Sequence, residues 1–387
     1  MSSFHPLFYA AITLMQKKGP YQFCHHINND QDKYCSFLYD GPDGDARYRT
    51  EWPFSLLGPN FELADVAAGL PEIKAMLDAL PYVGGDITVE DHHKVLLSVG
   101  VQVGVRGAEV DLLAKKMATL VMVLEESLLL KLVAPSRYPR SIHLVSEESD
   151  VAKGPWPQNS AVRSDYYAHV PPVAAMKPAA WNNRDPERGW HILKKIWSTH
   201  SRKELESTLN RRGVLTCDFY LSVPEKPELP LNPSPCWTAL EEGHTWFNFE
   251  YLQTTFEYTL FRNWVEVIAH IVELAMASPD EYKRCLEDIF RIQHDADQDG
   301  DVTWEQLMTH ILKLEHRIPD WRDQLTRYER GEIIAGLSED GMLPKRMGPY
   351  YSREEDYTAL EARLRAEQDA DDEFLSRRCA ALNFTDN

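Results

Sequence analysis

The sequence predicts an α+β protein in which an antiparallel sheet lines a cavity and helices back that sheet. Strand-like and helix-like segments are interspersed along the 387 residues, and two strand-like segments alternate in polarity, as strands with one buried face do. The clearest is 247–258, where aromatic and polar residues alternate and Glu257 stands near the end. An amphipathic helix follows, with its apolar stripe at Trp264, Ile268, Ile271, Val272 and Ala275. A carboxylate on a sheet beside a packed helix is suited to holding a metal ion.

The composition allows a substantial core and argues against two classes of partner. Hydrophobic residues make up 43% of the chain, enough for one large domain or two. The 60 acidic side chains outnumber the 41 basic ones, which gives a formal net charge of −19. Binding to phosphate backbones depends on clustered Lys and Arg, and the sequence has no long basic run. We therefore expect neither nucleic acid nor a membrane surface as a partner.

Cysteine usage and the N-terminal residues predict a cytoplasmic protein. The six cysteines form no CxxC pair and have no regular spacing, which is typical of reduced thiols. The short apolar stretch 8–15 has no basic region before it, so a signal peptide is not expected. The longest apolar run, 118–134, is interrupted by Glu125, Glu126 and Lys131 and is interpreted as a buried helix.

The first half of the chain predicts two strands and two helices. Residues 51–65 form a predicted strand that carries Glu62, and 71–80 form a short helix with proline in its first turn. Residues 95–105 are apolar and β-branched, which predicts a buried strand. Apolar positions at helical spacing predict a long helix over 109–133.

The second half begins with an insertion or surface loop over 151–180, which is rich in Pro, Ala and Ser. Two helices follow, and the second opens with a capping box from Ser201 to Glu204. Residues 214–223 predict a strand, and the five prolines of 224–235 predict an extended loop. The strand and helix of 247–275 come next.

Three regions are predicted along the chain. Residues 1–278 form the α+β core, and a helical C-terminal part covers 279–345, opening with a second capping box. Residues 346–387 carry charges of both signs and few apolar positions, which predicts a charged helical tail with a frayed end.

An Asp-rich segment nearly matches an EF-hand calcium loop. Asp295, Asp297 and Asp299 supply oxygen donors at positions 1, 3 and 5, and Gly300 stands at position 6. Position 12 is Gln306, which offers one neutral oxygen where a bidentate Glu is needed. The segment is therefore either a weak calcium site or a polar turn between helices.

Three blocks in fixed order resemble a putative amidoligase family that is widespread in fungi and related to glutamine synthetase and glutamate–cysteine ligase. The blocks are 98–104 with the long helix and Pro135-Ser136-Arg137, then 196–209, then 248–258 with 264–275. The resemblance covers about residues 50–330 and rests on the order of the blocks, since no single motif is decisive. It implies a glutamine synthetase-like sheet that forms one wall of an active site.

The resemblance also implies a chemistry: Mg²⁺ held on the sheet bridges the phosphates of ATP, and a carboxylate is activated as an acyl phosphate for attack by an amine. Metal and arginine offset the repulsion between the two anions. Glu257 matches the family's strand Glu, Glu62 matches a Glu of an earlier strand, and Arg137 matches the Arg after the long helix. Gln102 completes the implied magnesium set and, with Arg137, the implied ATP contacts.

The sequence departs from the family at several of these positions. The family's His-Val-His-Val-Gly is Gly100-Val-Gln102-Val-Gly here, so both histidines are missing. Thr259 stands where the family has Arg, and Arg262 is the candidate substitute. The Glu-x-Glu first strand is not found near the N-terminus. Each change removes a charged or coordinating group from the implied site.

Three functions follow as hypotheses. The first is an ATP- and Mg²⁺-dependent carboxylate–amine ligase acting on a small molecule or peptide, in a fungal biosynthetic pathway, with Glu257, Arg137 and Arg262 as catalytic residues. The second is a catalytically degenerate amidoligase-like protein that serves as a binding module. The third is a calcium-responsive protein that uses loop 295–306.

Overall fold

The computed structural model of the chain describes thirteen segments. They are residues 6–18, 27–28, 34–39, 52–58, 60–79, 86–88, 93–102, 107–154, 164–172, 186–210, 217–223, 244–299 and 303–333. Contacts group 1–78 and 85–343 into one compact unit. The second unit, 79–84 with 344–387, lies outside the described residues apart from position 79, and so does the predicted tail.

The described strands pair in an antiparallel sheet of order β2-β3-β4-β1-β7-β9-β8, and β5 and β6 also pair with β1. The strands are β1 (Leu7–Lys18), β2 (Ile27–Asn28), β3 (Tyr34–Tyr39), β4 (Trp52–Leu57), β5 (Phe61–Glu62), β6 (Asp86–Thr88), β7 (Val95–Gln102), β8 (Phe219–Ser222) and β9 (His244–Phe249). Together with the helices, this sheet makes the protein α+β, as the sequence predicts.

The described helices begin after β5, and they separate and follow the later strands. They are α1 (Leu63–Ala67), α2 (Pro71–Ala79), α3 (Gly107–Leu124), α4 (Val145–Glu148), α5 (Asp150–Lys153), α6 (Ser164–His169), α7 (Pro186–Ser198), α8 (Arg202–Leu209), α9 (Tyr258–Met276), α10 (Pro279–Asp299), α11 (Thr303–Gln306) and α12 (Ile318–Glu329). A π-helical turn, Glu125–Leu129, continues α3. None of the described helices is long and apolar enough to cross a lipid bilayer.

The central strand β7 separates an apolar face of the sheet from a polar one. Val95, Leu97 and Val99 point to the apolar face and are 0% exposed. Phe247 and Phe249 of β9 and Phe219 of β8 are buried on the same face, since residues paired in register share a face. Helices α3 and α9 pack against one another and are buried along most of their length. The core therefore lies on this side of the sheet.

Several element boundaries differ from the sequence predictions. The predicted strand 51–65 is divided into β4 and β5, and α1 begins directly after Glu62. The predicted loop 151–180 contains α6, and the strand predicted at 214–223 is limited to β8 within its described part. In each case local hydrogen bonding, which composition does not report, sets where the element begins and ends.

The strand predicted over 247–258 is wrong in its second half. β9 ends at Phe249, and after it only Gln253 makes an isolated bridge, to Lys94. Glu257 is therefore not on a strand: its backbone is extended, and it is the residue that immediately precedes helix α9. Alternation of aromatic and polar residues continues past the point where ladder hydrogen bonding stops.

The Asp-rich turn predicted at 295 is also corrected. Helix α10 continues through Asp299, so Asp295, Asp297 and Asp299 are helical. The backbone of an α-helix does not coil around an ion, since its successive residues are rotated by about 100° along one axis. An EF-hand loop instead wraps these positions around one ion. Positions 300–302 lie outside the described residues.

The buried aromatic pair on β8 and β9 gives a test of the core. Phe249 is 0% exposed and its ring centroid lies 5.1 Å from that of Phe219. We expect Phe249→Ala to lower the free energy of unfolding by about 3–5 kcal/mol, because the vacated volume cannot collapse fully.

Chemical denaturation monitored by circular dichroism measures this loss. Tyr167→Ala is the matched control, because Tyr167 is 67% exposed and a surface change of this kind should shift stability by less than about 0.5 kcal/mol. Equal effects of the two substitutions would contradict the assignment of the core.

Candidate functional site

The middle of the polar face is a row of short side chains on three neighbouring strands. Ser98 of β7 pairs in register with Asn248 of β9, which pairs with Tyr220 of β8. The Ser98 hydroxyl donates to Asn248 Oδ1 at 2.6 Å, and Asn248 Nδ2 donates to Ser222 Oγ at 2.9 Å. Hydrogen bonds thus link Ser98, Asn248 and Ser222 across the three strands.

At one end of this row lies a group of charged side chains that we call the Lys94 cluster: Lys94, Asp218, Tyr220 and Glu250. The Lys94 ammonium lies 2.6 Å from Asp218 Oδ1 and 3.3 Å from Glu250 Oε2. The Tyr220 hydroxyl donates to Glu250 Oε1 at 3.2 Å. The Asp218 side chain is 0% exposed, whereas those of Lys94 and Glu250 are 26% and 23% exposed. The cluster therefore has a buried base and a solvent-facing side.

His143 contacts Asp218 through its backbone, and its ring contacts a further carboxylate, Glu148. The His143 backbone N–H donates to Asp218 Oδ2 in a short hydrogen bond, and the Asp218 N–H donates to the His143 carbonyl oxygen. The His143 ring approaches Glu148 with its Nδ1 at 3.1 Å from Oε1. These contacts fix Asp218 from the side opposite Lys94, so the buried carboxylate is held in one position.

The charges of the cluster favour a ligand that donates hydrogen bonds. One ammonium faces two carboxylates, which leaves an excess of one negative charge. Burial, followed by the charge of Glu250, raises the pKa of Tyr220 well above its ordinary value. Its hydroxyl therefore stays protonated at neutral pH. Such a tyrosine orients a carboxylate and does not act as a base.

Further along the polar face, the space over Gly100 is occupied by the side chain of Trp246. A Cβ atom at position 100 would lie 2.6 Å from the Trp246 Cζ3 atom and 2.7 Å from Cη2. The two residues pair directly in register. The first missing histidine of the resemblance thus corresponds to a position where an indole ring leaves no room for any side chain.

Glu62 lies on a strand, as the sequence predicts: it ends β5, which pairs with β1. Leu7 pairs with Glu62 in one direction and with Gly100 in the other, so the three residues share one face. The Glu62 side chain is exposed, and its backbone N–H donates to Asp65 Oδ2 at 2.8 Å. Glu62 therefore also caps helix α1.

Glu257 is held by an arginine of helix α12. Arg327 donates from both terminal nitrogens to the two Glu257 oxygens, at 2.8 and 2.7 Å. The same guanidinium lies 3.3 Å from Glu332 and from Gln324 Oε1. Bidentate pairs of this kind are the strongest side-chain ion pairs, so both Glu257 oxygens already have a cationic partner.

The two arginines predicted as catalytic lie in different surroundings. Arg137 is 1% exposed and donates from Nη1 to the Tyr251 carbonyl oxygen at 2.7 Å. Arg262, on α9, donates to Asn263 Oδ1 at 3.1 Å, and its guanidinium carbon lies 5.5 Å from the centre of the Tyr258 ring. Arg137 is thus part of the core network, while Arg262 belongs to a cluster at the start of α9.

The strand register keeps Gln102 away from Glu257. Lys94, which bridges Gln253, is eight residues before Gln102, which corresponds to roughly 26 Å of strand. The four residues from Gln253 to Glu257 span at most about 14 Å. Once the roughly 5 Å between bridged strands is also subtracted, the Cα atoms of Gln102 and Glu257 are at least about 7 Å apart. Among the described residues, no three His, Cys, Asp or Glu side chains form a group that fits a metal ion.

A buried carboxylate joins the long helix to the segment after β9. Glu125 is 0% exposed and accepts hydrogen bonds from the Val145 and Ser146 backbone N–H groups, at 2.9 and 2.8 Å. The Tyr251 hydroxyl donates to the same carboxylate at 2.5 Å. Tyr251 is held at its other end by Arg137, so this network fixes the chain between β9 and α9.

Sequence reasoning missed the residues of the Lys94 cluster, although a signal was present. Asp218 and Tyr220 alternate with buried residues on β8, and Asn248 and Glu250 alternate with phenylalanines around β9. Period-two alternation assigns these polar residues to one face. The sequence prediction instead rested on Glu257, which the resemblance matches to the family's strand Glu.

Comparisons with known proteins add no family to this geometry. No family model, no curated protein and no solved structure matches the chain.

The contact between Gly100 and Trp246 is testable. We expect Gly100→Ala to lower the free energy of unfolding by about 1–3 kcal/mol, because the new methyl group overlaps the indole. In the double variant with Trp246→Ala, the methyl has space, so the cost of the alanine at position 100 should largely disappear. A double-mutant cycle measured by urea unfolding gives this coupling, and strict additivity would contradict the contact.

The buried Glu125 carboxyl predicts a pH dependence of stability. Burial raises its pKa from 4.5 to about 7, against the opposing effect of its hydrogen bonds. A raised folded-state pKa means that the folded protein binds the proton more tightly, so the associated stability is complete below pH 4.5 and is lost as the pH rises to about 7.

The variant Glu125→Gln has no group that titrates at this position, so comparison with the wild type isolates the contribution of the Glu125 carboxyl. We expect the wild type to lose stability relative to the variant over this interval, by on the order of a few kcal/mol. Unfolding curves at a series of pH values measure the difference. If the difference in free energy of unfolding between the two proteins did not change with pH, the assignment would be contradicted. A pH-independent part of the difference is expected in addition, because the glutamine amide now faces two N–H donors.

Proposed function

We propose that the chain is a small-molecule-binding protein whose ligand carries an ammonium group and docks at the Lys94 cluster without ATP or Mg²⁺. One observation carries the proposal: the Trp246 indole fills the space over Gly100, where the resemblance to amidoligases implies a metal-binding histidine. Of the residues at the implied magnesium and nucleotide positions, Glu257 is paired with Arg327 and Arg137 is buried against a backbone carbonyl group. The protein is in this proposal an amidoligase-like binding module and not a ligase.

The state of Glu257 supports the same proposal. A metal ion at this carboxylate would have to displace a bidentate guanidinium, which is a charge-assisted and geometrically matched partner. Arg137, the implied phosphate contact, is buried and engaged by a backbone carbonyl group. Both groups perform structural roles in the connection between the sheet and helices α9 and α12.

The Lys94 cluster offers hydrogen-bond capacity for an amino compound. A carboxylate has about four lone-pair positions, and Glu250 uses one for Lys94 and one for Tyr220. Its remaining positions face the solvent side of the cluster and attract an ammonium group. Lys94 has three N–H donors, of which Asp218 and Glu250 take two. The third suits the carboxylate of a free amino acid, so amino acids match the cluster better than simple amines.

The ATP-dependent ligase remains the second candidate, and one observation favours it. Glu62 and Gly100 share a row of the sheet with Leu7 between them, so the open face retains an acidic side chain at its edge. The ordered sequence blocks support the same function by resemblance. The substrate in that case is again an amine or amino acid, and the two candidates differ in whether ATP is consumed.

Binding and turnover measured on the same sample separate the two candidates. We expect titration calorimetry with a panel of free amino acids and primary amines to detect binding that ATP and Mg²⁺ leave unchanged, and a coupled assay to detect no ADP release. Glu250→Gln removes the attracting charge and should weaken binding by about tenfold or more, the size expected for a charged hydrogen bond.

Glu273→Gln is the matched control, because the Glu273 side chain is 49% exposed on α9 and pairs only with His270 in a local contact. Its binding should equal that of the wild type. ADP release that depends on an added amine would overturn the binding-module proposal in favour of the ligase. Absence of binding across the panel would remove the Lys94 cluster as the site.

A further inference from the structure

A second group of polar atoms lies away from the sheet, between helices α3, α6, α7 and α10. We call it the α6–α7 cluster and define it by Lys116, Tyr166, His169, Trp190, Trp197 and Tyr282. His169 stacks on Trp197 with ring centroids 5.4 Å apart, and Tyr166 meets the same indole edge-on at 6.4 Å. The ring centroid of His169 lies 6.3 Å from that of Tyr282. Aromatic rings therefore form the walls of the cluster.

Three polar atoms of the cluster are buried without a hydrogen-bond partner: Tyr166 Oη, His169 Nε2 and Trp190 Nε1. Tyr166 and His169 are 4% and 5% exposed. Burial raises the pKa of Tyr166 to about 12, and the Trp190 N–H, which faces the hydroxyl outside normal hydrogen-bond geometry, opposes this rise. The Trp190 N–H and the Tyr166 hydroxyl face each other, so His169 Nε2 is the atom that a bound group would satisfy, since buried polar atoms in native proteins almost always have partners.

The charges around the cluster indicate what that group is. Lys116 is 5% exposed, and its ammonium donates to the Ala277 carbonyl oxygen at 2.7 Å and lies 4.9 Å from the centre of the Tyr282 ring. Neither contact is an anion. Lys194 lies over the Trp190 ring, with Nζ 3.1 Å from its centre. The Asp165 carboxylate also acts on His169, and the two ammonium groups leave a local excess of positive charge that favours an anionic ligand.

The tautomer of His169 shows how the site accepts an anion. Its Nδ1 lies 2.8 Å from the Asp165 carbonyl oxygen, which can only accept, so the proton of the neutral ring is on Nδ1. Burial lowers the pKa of His169, and Lys116 adds to this effect, while the Asp165 carbonyl hydrogen bond and the Asp165 carboxylate oppose it. Nε2 becomes a donor only when the ring gains a second proton, and an anion beside it would stabilise that proton. Binding of an anion is therefore coupled to proton uptake.

We propose that the α6–α7 cluster binds a small carboxylate with an apolar body. The carboxylate oxygens accept from Lys116, from the protonated His169 and from the Tyr166 hydroxyl, while the rings of Trp197 and Tyr282 contact the apolar part. This site is separate from the Lys94 cluster, shares no residue with it and does not depend on the function proposed there.

Titration calorimetry on the full chain tests the site with benzoate, acetate and inorganic phosphate as probes. We expect saturable binding of benzoate, weaker binding of acetate and none of phosphate. In two buffers of different ionisation enthalpy, the benzoate heats should differ by an amount that corresponds to net proton uptake, which a nonspecific salt effect would not produce. His169→Phe, which keeps an aromatic ring on Trp197, should abolish the proton uptake and weaken binding by about tenfold or more.

Two lysine variants complete the test. Lys116→Arg keeps the charge and should retain binding within a few-fold, whereas Lys116→Met should lose it by about tenfold or more. Lys203→Met is the control, because the Lys203 side chain is 54% exposed and paired with Glu206. Absence of saturable benzoate binding, binding that survives His169→Phe unchanged, or preference for phosphate would each overturn the proposal. If no saturable benzoate binding is found, water alone satisfies the buried polar atoms.

Discussion

The alternation of β7 between an apolar and a polar face is the constraint on which the rest of the structure depends. Val95, Leu97 and Val99 must be buried, and a shift of one residue in register would expose all of them. The hydrophobic free energy of this face therefore fixes the register of β7 against β1 and β9. Once that register is set, Ser98, Asn248 and Tyr220 have no alternative but to form one row on the other face.

The polar face is the part of the fold where chemistry is possible, and its two ends differ. At the Gly100 end, Trp246 packs down on the strand and leaves no space for a side chain. At the Lys94 end, a buried carboxylate anchors an ammonium group and a second carboxylate remains half-exposed. The difference has a physical origin, because an indole excludes water and metal ligands, whereas a solvated ion cluster can exchange partners with a ligand. Glu257, which the resemblance favours, is outside this face and contributes to stability through Arg327.

Much of the fold could be predicted from the sequence, because the signals are local. The apolar, β-branched run at 95–101 predicts β7, and the apolar stripe from Trp264 to Ala275 predicts helix α9, which extends over 258–276. Glu257 was misplaced because side-chain alternation persists beyond the last ladder hydrogen bond. The site could not be assembled from one sequence, since Lys94 and Asp218 are 124 positions apart and meet only through the pairing of β7, β9 and β8. Likewise, residues 295–299 are helical although their sequence matches the start of an EF-hand loop.

We propose that the polar face binds a ligand at its Lys94 end and excludes a metal–nucleotide complex at its Gly100 end. Nuclear magnetic resonance of the Trp246 indole N–H, assigned by Trp246→Phe, tests both parts in one experiment with Mn²⁺ as the paramagnetic probe. We expect Mn²⁺ with ATP to leave this resonance unbroadened, and a free amino acid that binds the protein to shift resonances of the Lys94 and Glu250 segments. Strong broadening of the Trp246 indole resonance by Mn²⁺ only when ATP is present would contradict the account, because it would place a metal–nucleotide complex on the face that the indole is proposed to close.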